Sequence, residues 1–220
     1  MSVPAETVKK LREVSGAPMM ECKKALEEAN GDLEQAFTIL RKRGQAAAAK
    51  KAERLTNEGI VGSYIHPGAK IAVMVELNCE SDFVARNGEF QALAHDLAMQ
   101  VCATDPRYVR KEEVPAEMLQ RERDILREQA LASGKPEAMV ERIVDGRLDK
   151  YYEDTCLYEQ HFIKDATGNS TVRELINSKI AKFGENISVR RFARFKVGEA
   201  DRTGAPTATL GTGSEDGAGT

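Results

Sequence analysis

Apolar positions recur at helical spacing through the first forty residues, then the period changes. Residues 4–14 read as a first amphipathic helix that ends at Ser15-Gly16. A second begins near Pro18, where proline suits the first helical turn, and carries Met19, Cys22, Leu26 and Ala29 toward one side. Asn30-Gly31 supplies a left-handed stop. Asp32 is a good N-cap, and Gln35 three residues on makes a capping-box pattern. Leu33, Ala36, Phe37 and Leu40 then form the apolar stripe of a third helix. The pattern predicts a compact three-helix unit, near the lower size limit for independent folding.

Between residues 41 and 54 the chain turns basic around an alanine-rich centre, which predicts an exposed helical connector broken at Gly44. Period two follows. Residues 60–66 and 70–77 flank Pro67-Gly68, a strong turn dipeptide, and Ile71, Val73, Val75 and Leu77 alternate as a half-buried strand should. A third strand is predicted over 187–197. Ile187, Val189, Ala193, Phe195 and Val197 would share one face, interrupted by Arg191; Ser188, Arg190, Arg194 and Lys196 would share the other, with Phe192 as the exception. Helical spacing marks residues 89–102 through Phe90, Leu93, Leu97 and Val101. Two long helices, 115–131 and 136–157, are joined at Ser133-Gly134-Lys135-Pro136 as an antiparallel helical hairpin. The first has a thin stripe of Met118, Leu119, Ile125 and Leu126. The second has a cleaner one of Val140, Val144, Leu148, Tyr151 and Thr155. A last helix spans 172–183 and stops at Gly184.

The expected fold class is α+β: an N-terminal three-helix unit at 1–43, a helical linker at 44–57, and a core at 58–198. That core holds a three-stranded antiparallel sheet packed by helices, including the pair at 115–157. Glycine, threonine, alanine and proline dominate residues 199–220, which are expected to form a disordered tail.

Composition narrows the function classes. With 220 residues and 41% hydrophobic content the chain can bury a real core, while a net charge of −3 gives no global pull toward nucleic acid. No apolar run approaches the roughly 20 residues that span a bilayer, and the first residues lack the basic and apolar regions of a signal peptide, so a cytoplasmic protein is expected. Four scattered cysteines form no Cys-x-x-Cys pair; reduced, mostly buried thiols are the default and no metal is expected. Three histidines leave little room for acid–base chemistry. A Cys79–His95 nucleophile pair lacks any third orienting group in the sequence. No Gly-rich phosphate loop occurs, so no nucleotide or other cofactor is expected here. The basic run has two readings, a phosphate-binding patch or a solvated linker face; it lacks the interleaved aromatics of a stacking surface. Met19 and Met20 cannot both face inward from adjacent helical positions, and an exposed methionine makes an adaptable contact surface. Lys23 and Lys24 are most simply solvated helix charges.

The most informative stretch is Asn78-Cys79-Glu80-Ser81-Asp82-Phe83-Val84-Ala85-Arg86-Asn87. Strand alternation stops at Asn78, and an acid then stands beside a large aromatic at a strand end, where rigid scaffolds display functional side chains. On one reading this pair disturbs a polar site on another protein. On the other, Phe83 folds back to cap the core and Asp82 caps the following helix.

Three segments carry a resemblance: LREVSGAPMMECKKALEEANGDLEQAFTILRKR at 11–43, ELNCESDFVARN at 76–87 and AKFGENISVRRFARF at 181–195. In that order and spacing the chain closely resembles the elongation factor Ts family, guanine-nucleotide exchange factors for elongation factor Tu in bacterial translation. The likeness runs from about residue 3 to 198 and matches the short bacterial form, with one core unit rather than a duplicated one. The family's usual Thr-Asp-Phe-Val is here Ser81-Asp82-Phe83-Val84, which keeps the hydroxyl and loses one methyl. Pro18 stands where glycine is common.

The resemblance implies that the chain is not an enzyme and binds elongation factor Tu, both GDP-bound and nucleotide-free. The N-terminal module would be ubiquitin-associated-like (UBA-like) and would contact the partner's nucleotide-binding domain through Met19, Met20 and Lys23. Asp82 and Phe83 would intrude near the partner's magnesium site, with Ser81 and Val84 shaping the loop. A homodimer engaging two partner molecules is the implied assembly, with no membrane and no direct nucleic-acid contact.

Overall fold

A computed structural model describes residues 3–134, 136–165, 168 and 170–199. Helix α1 (Ala5–Ser15) ends on Gly16, whose φ of 65° is the left-handed geometry glycine adopts without strain. Helix α2 (Met19–Glu28) starts after Pro18, which stands at the cap rather than inside the first turn. Asp32 caps α3 (Leu33–Lys51), its carboxylate accepting from the backbone N–H of Glu34 and Gln35. The capping box is not completed from its other side, because Asp32 N donates to the Ala29 carbonyl instead. Val8, Leu11, Cys22, Ala25, Leu26, Ala29 and Ala36 form the core of this three-helix unit. Met19 and Leu33 were expected to face that core; both are exposed, each at the first position of its helix, beyond the reach of the packed stripe.

The predicted break at Gly44 does not occur. Helix α3 continues through it to Lys51, and Gly44 is buried, with the Asn177 backbone oxygen 3.8 Å from where a Cβ would sit. The glycine serves close packing rather than a kink. Ala36 sits in the N-terminal core while Ala48 packs on the main one, so a single helix runs from one to the other.

Strands β1 (Glu58–Ile65), β2 (Ile71–Cys79) and β3 (Ile187–Lys196) form one antiparallel sheet in the order β1-β2-β3. The fold is thus α+β, as the periodicities predicted. On one face Val73, Val75, Leu77 and Cys79 meet Phe90, Leu93, Ala94, Leu97 and Val101 of α5 (Gly88–Thr104), which follows the four-residue α4 (Asp82–Ala85). At about 1.5–3 kcal/mol for each large apolar side chain buried, this interface, in the largest of the cores, is a principal source of stability.

The faces predicted for β3 hold only for its first half. Leu77 pairs with Val189 but Glu76 with Arg191, so Arg190 is an extra residue in a β-bulge. One inserted residue reverses every side chain beyond it. Phe192 and Arg194 therefore lie on the core side, opposite Val75 and Val73, while Ala193 and Phe195 face out. The apparent interruptions at Arg191 and Phe192 were the bulge.

Helices α6 (Ala116–Ala132) and α7 (Glu137–Thr155) form the expected hairpin. Leu126, Ala130, Val140, Val144 and Leu148 make a third core of their own. Met118 and Ile125 of the predicted stripe are exposed. Helix α8 (Val172–Phe183) opens on a full capping box between Thr171 and Glu174 and ends on Gly184, with φ 76°. Among the described residues no helix is long and apolar enough to cross a membrane, and no group of acidic, histidine and cysteine side chains could hold a metal. The tail expected at 199–220 lies outside the described residues apart from Glu199.

Candidate functional site

Both ladders of β2 end at Cys79, opposite Glu58 of β1 and Ile187 of β3. Beyond that point the backbone needs new partners, and side chains supply them. The Glu185 carboxylate accepts from Glu80 N at 3.1 Å, Ser81 N at 3.0 Å and the Ser81 hydroxyl at 2.6 Å. In return the Glu80 carboxylate accepts from Asn186 N at 2.6 Å and lies 3.5 Å from the Arg54 guanidinium. Ser81 is the N-cap of α4, its Oγ accepting from Val84 N at 3.4 Å.

Four residues of helix leave little choice of orientation. Val84 and Ala85 are buried in the main core. With about 100° between successive residues, burying those two turns Asp82 and Phe83 away from the molecule. Phe83 is 81% exposed, and among the described residues no large apolar side chain is more so. An aromatic ring left in water forgoes about 1.5–3 kcal/mol of burial. The ring lies outside the core, so the core-capping alternative fails. Asp82 does not cap the next helix either: the α5 cap is Asn87, whose side chain accepts from Glu89 N at 2.8 Å. Asp82 instead forms an exposed i,i+4 ion pair with Arg86 at 2.9 Å. Such a pair contributes only about 0.3–0.5 kcal/mol and gives way readily to a better partner.

The loop residues Ser81, Asp82, Phe83 and Val84 thus form one capped turn with an acid and an aromatic outward. Met19, Met20 and Lys23 sit elsewhere, at the start of α2. Both methionines are exposed, at 44% and 61%, and Lys23 lies 3.8 Å from Glu27.

The rival chemistries lose their geometry. His95 is exposed, with Nδ1 3.0 Å from the Ser63 carbonyl and its ring edge-on to Tyr64. The buried Cys79 thiol donates to the Ser81 carbonyl at 3.1 Å, and burial, reinforced by the Glu185 charge, pushes it up to about 11. It is a protonated thiol at neutral pH, not a nucleophile. In the basic run, Arg41 pairs with Glu174, and Arg43 with Glu21 and Glu28, so part of that charge is spent within the molecule.

No local pattern pointed to Glu185 or Asn186, and Arg54 stood out only as part of the basic run. Glu185 lies 104 positions from the Ser81 it binds, and no periodicity links such distant residues. The only available signal was that Gly184-Glu185-Asn186 lies within a segment carrying the family resemblance.

Comparison with known proteins agrees with that resemblance. Residues 2–169 match the family described as Elongation factor TS. The Elongation factor Ts of Koribacter versatilis (strain Ellin345) is 58% identical over 203 residues, 92% of either chain. That of Geobacter sulfurreducens is 56% identical over 199 residues, 90% of this chain and 91% of the relative. The Moorella thermoacetica protein is 57% identical over 197 residues, 90% and 96% of the two chains. On a match that spans most of its length, the chain belongs to the elongation factor Ts family, translation elongation factors of the nucleotide-exchange type rather than enzymes.

Proposed function

We propose that this chain binds elongation factor Tu in its GDP-bound and nucleotide-free states and promotes GDP release through the loop Ser81–Val84, so that GTP can enter. The observation that supports this most is the outward Phe83 ring on a turn otherwise fixed by buried residues and hydrogen bonds. An exchange factor makes no bond; it stabilises the empty partner over the loaded one, so factor and nucleotide weaken each other's binding reciprocally. Phe83 enters an apolar gap in the partner and shifts the groups that position its magnesium ion and phosphates. Loss of magnesium coordination removes the largest local positive charge holding the nucleotide. Asp82 exchanges its exposed pairing with Arg86 for a donor on the partner. At about 1.4–3 kcal/mol of coupling, each contact speeds release roughly ten- to 150-fold.

The N-terminal unit docks on the partner's nucleotide-binding domain through Met19, Met20 and Lys23, in a UBA-like manner. A second copy of the chain covers the outer face of the sheet, where Val61, Ile65, Met74 and Phe195 are exposed together, giving a homodimer that engages two partner molecules in the cytoplasm.

The test is release of labelled GDP from elongation factor Tu. Phe83→Ala should slow catalysed release at least tenfold while thermal unfolding stays unchanged; an unaltered release rate rejects the assignment.

A further inference from the structure

We infer that Glu185 is a positioning residue for exchange: its carboxylate sets the direction in which the turn presents Phe83. The inference rests on the function proposed above and names a group that makes its effect through another.

Three features converge on Glu185. First, it meets a need created by the topology. β2 loses both neighbours after Cys79, leaving two successive backbone donors, at Glu80 and Ser81, without a ladder. A single oxygen of Glu185, Oε2, accepts both, at 3.1 and 3.0 Å. Second, its other oxygen accepts a hydrogen bond from the Ser81 hydroxyl at 2.6 Å, which leaves that hydroxyl a lone pair for Val84 N. The cap of α4 therefore depends on a residue 104 positions away. Third, the bond is reciprocated. Asn186 N donates to Glu80, and the Asn186 side-chain amide donates to the Arg54 carbonyl at 2.9 Å, so the strand ends and the chain below α3 are tied at one point.

A four-residue helix cannot hold its own direction, because forming one turn fixes several dihedrals for a single hydrogen bond. What holds α4 is its buried side, Val84 and Ala85, and its cap. Phe83, 81% exposed, has almost nothing of its own to hold it. The carboxylate suits this task better than an amide would. Ionised, it only accepts, and all three groups facing it here donate. Hydrogen bonds to a charged acceptor are also the stronger kind, so the turn is stiff before the partner arrives. A ring misplaced by about 1 Å can forfeit about a hundredfold in rate.

The experiment is a double-mutant cycle on labelled GDP release from elongation factor Tu, with amide hydrogen exchange on the free full-length chain. Glu185→Ala should slow release by about tenfold or more in the wild-type background, yet by no more than about half that factor when Phe83→Ala is already present, the remainder being the share that Asp82 carries on the same turn. Glu185→Gln should fall between, and carries the same comparison if Glu185→Ala fails to fold. In the free chain both variants should speed exchange at the Ser81 and Val84 amides while Val75 and Leu77 keep their protection. Full multiplication of the two losses in the double variant overturns the inference, as does wild-type release by Glu185→Ala alongside a slowed Phe83→Ala. Wild-type release by Phe83→Ala would instead remove the exchange function proposed for the loop, and this inference with it.

Discussion

Cys79 stands where β2 gives way to the exposed turn, and its surroundings decide its chemistry. Burial first, then the negative charge of Glu185, lift the thiol from 9.0 to about 11. The folded chain thus holds this proton more tightly than the unfolded chain, whose thiol titrates near its ordinary value. The contribution to stability is complete below about pH 9 and is lost as the pH rises toward about 11. Urea midpoints measured across that window should fall with pH, and Cys79→Ala should flatten part of the fall. Native protein should also resist thiol reagents at pH 8; rapid labelling of Cys79 there would contradict this environment. Phe83 is the opposite case. Its ring contributes almost nothing to the fold, so truncation should leave stability within about 0.5 kcal/mol.

Among the elements, β1 and α5 approach each other closely. A Cβ on Gly62 would lie 2.7 Å from the Ala94 carbonyl carbon and from its methyl. Backbone cannot yield as the end of a long side chain would, so the helix must withdraw from the sheet. Gly62→Ala should therefore destabilise the chain by about 1–3 kcal/mol, read as a lower urea midpoint at unchanged slope. A neutral substitution would show that α5 has room to move. The caps follow a simpler logic, since each satisfies donors its helix leaves open. Asp32 and Thr171 do so from their own sequence neighbourhood, whereas Ser81 does so with Glu185 behind it.

For the molecule as a whole, the sheet has one face packed and one bare. The bulge at Arg190 turns Phe195 outward, beside Ala72 and near Met74, on the same face as Val61 and Ile65. A contiguous apolar face of this kind is the usual mark of an interface. On the homodimer proposed above, Phe195→Lys should shift the chain to monomer in sedimentation velocity while leaving helical content intact. A wild-type chain that sediments as a monomer at micromolar concentration would exclude the sheet as the pairing surface. The α6–α7 hairpin adds a body with its own core, cross-linked at the surface by Arg123–Asp145 and Arg127–Glu141.

Most of the elements were legible in the sequence, because helix and strand periods, caps and turn dipeptides act over a few residues. Asp32, Pro67-Gly68, the Phe90–Val101 stripe and the Gly184 stop were all readable on that scale. It also marked Ser81 to Val84 as the place to look, through an acid and an aromatic set where alternation ends. Contacts between distant segments set the rest. Whether Phe83 turned in or out depended on Val84 and Ala85 finding the core, which no local pattern contains. The bulge in β3 became visible only against the register of β2, and Gly44 as a packing position only against α8. The carboxylate that steadies the turn comes from Glu185, brought to Ser81 by the closing of a three-stranded sheet whose last strand is far along the chain. Short-range chemistry is written in neighbouring letters; contacts between remote segments exist only once the chain has folded.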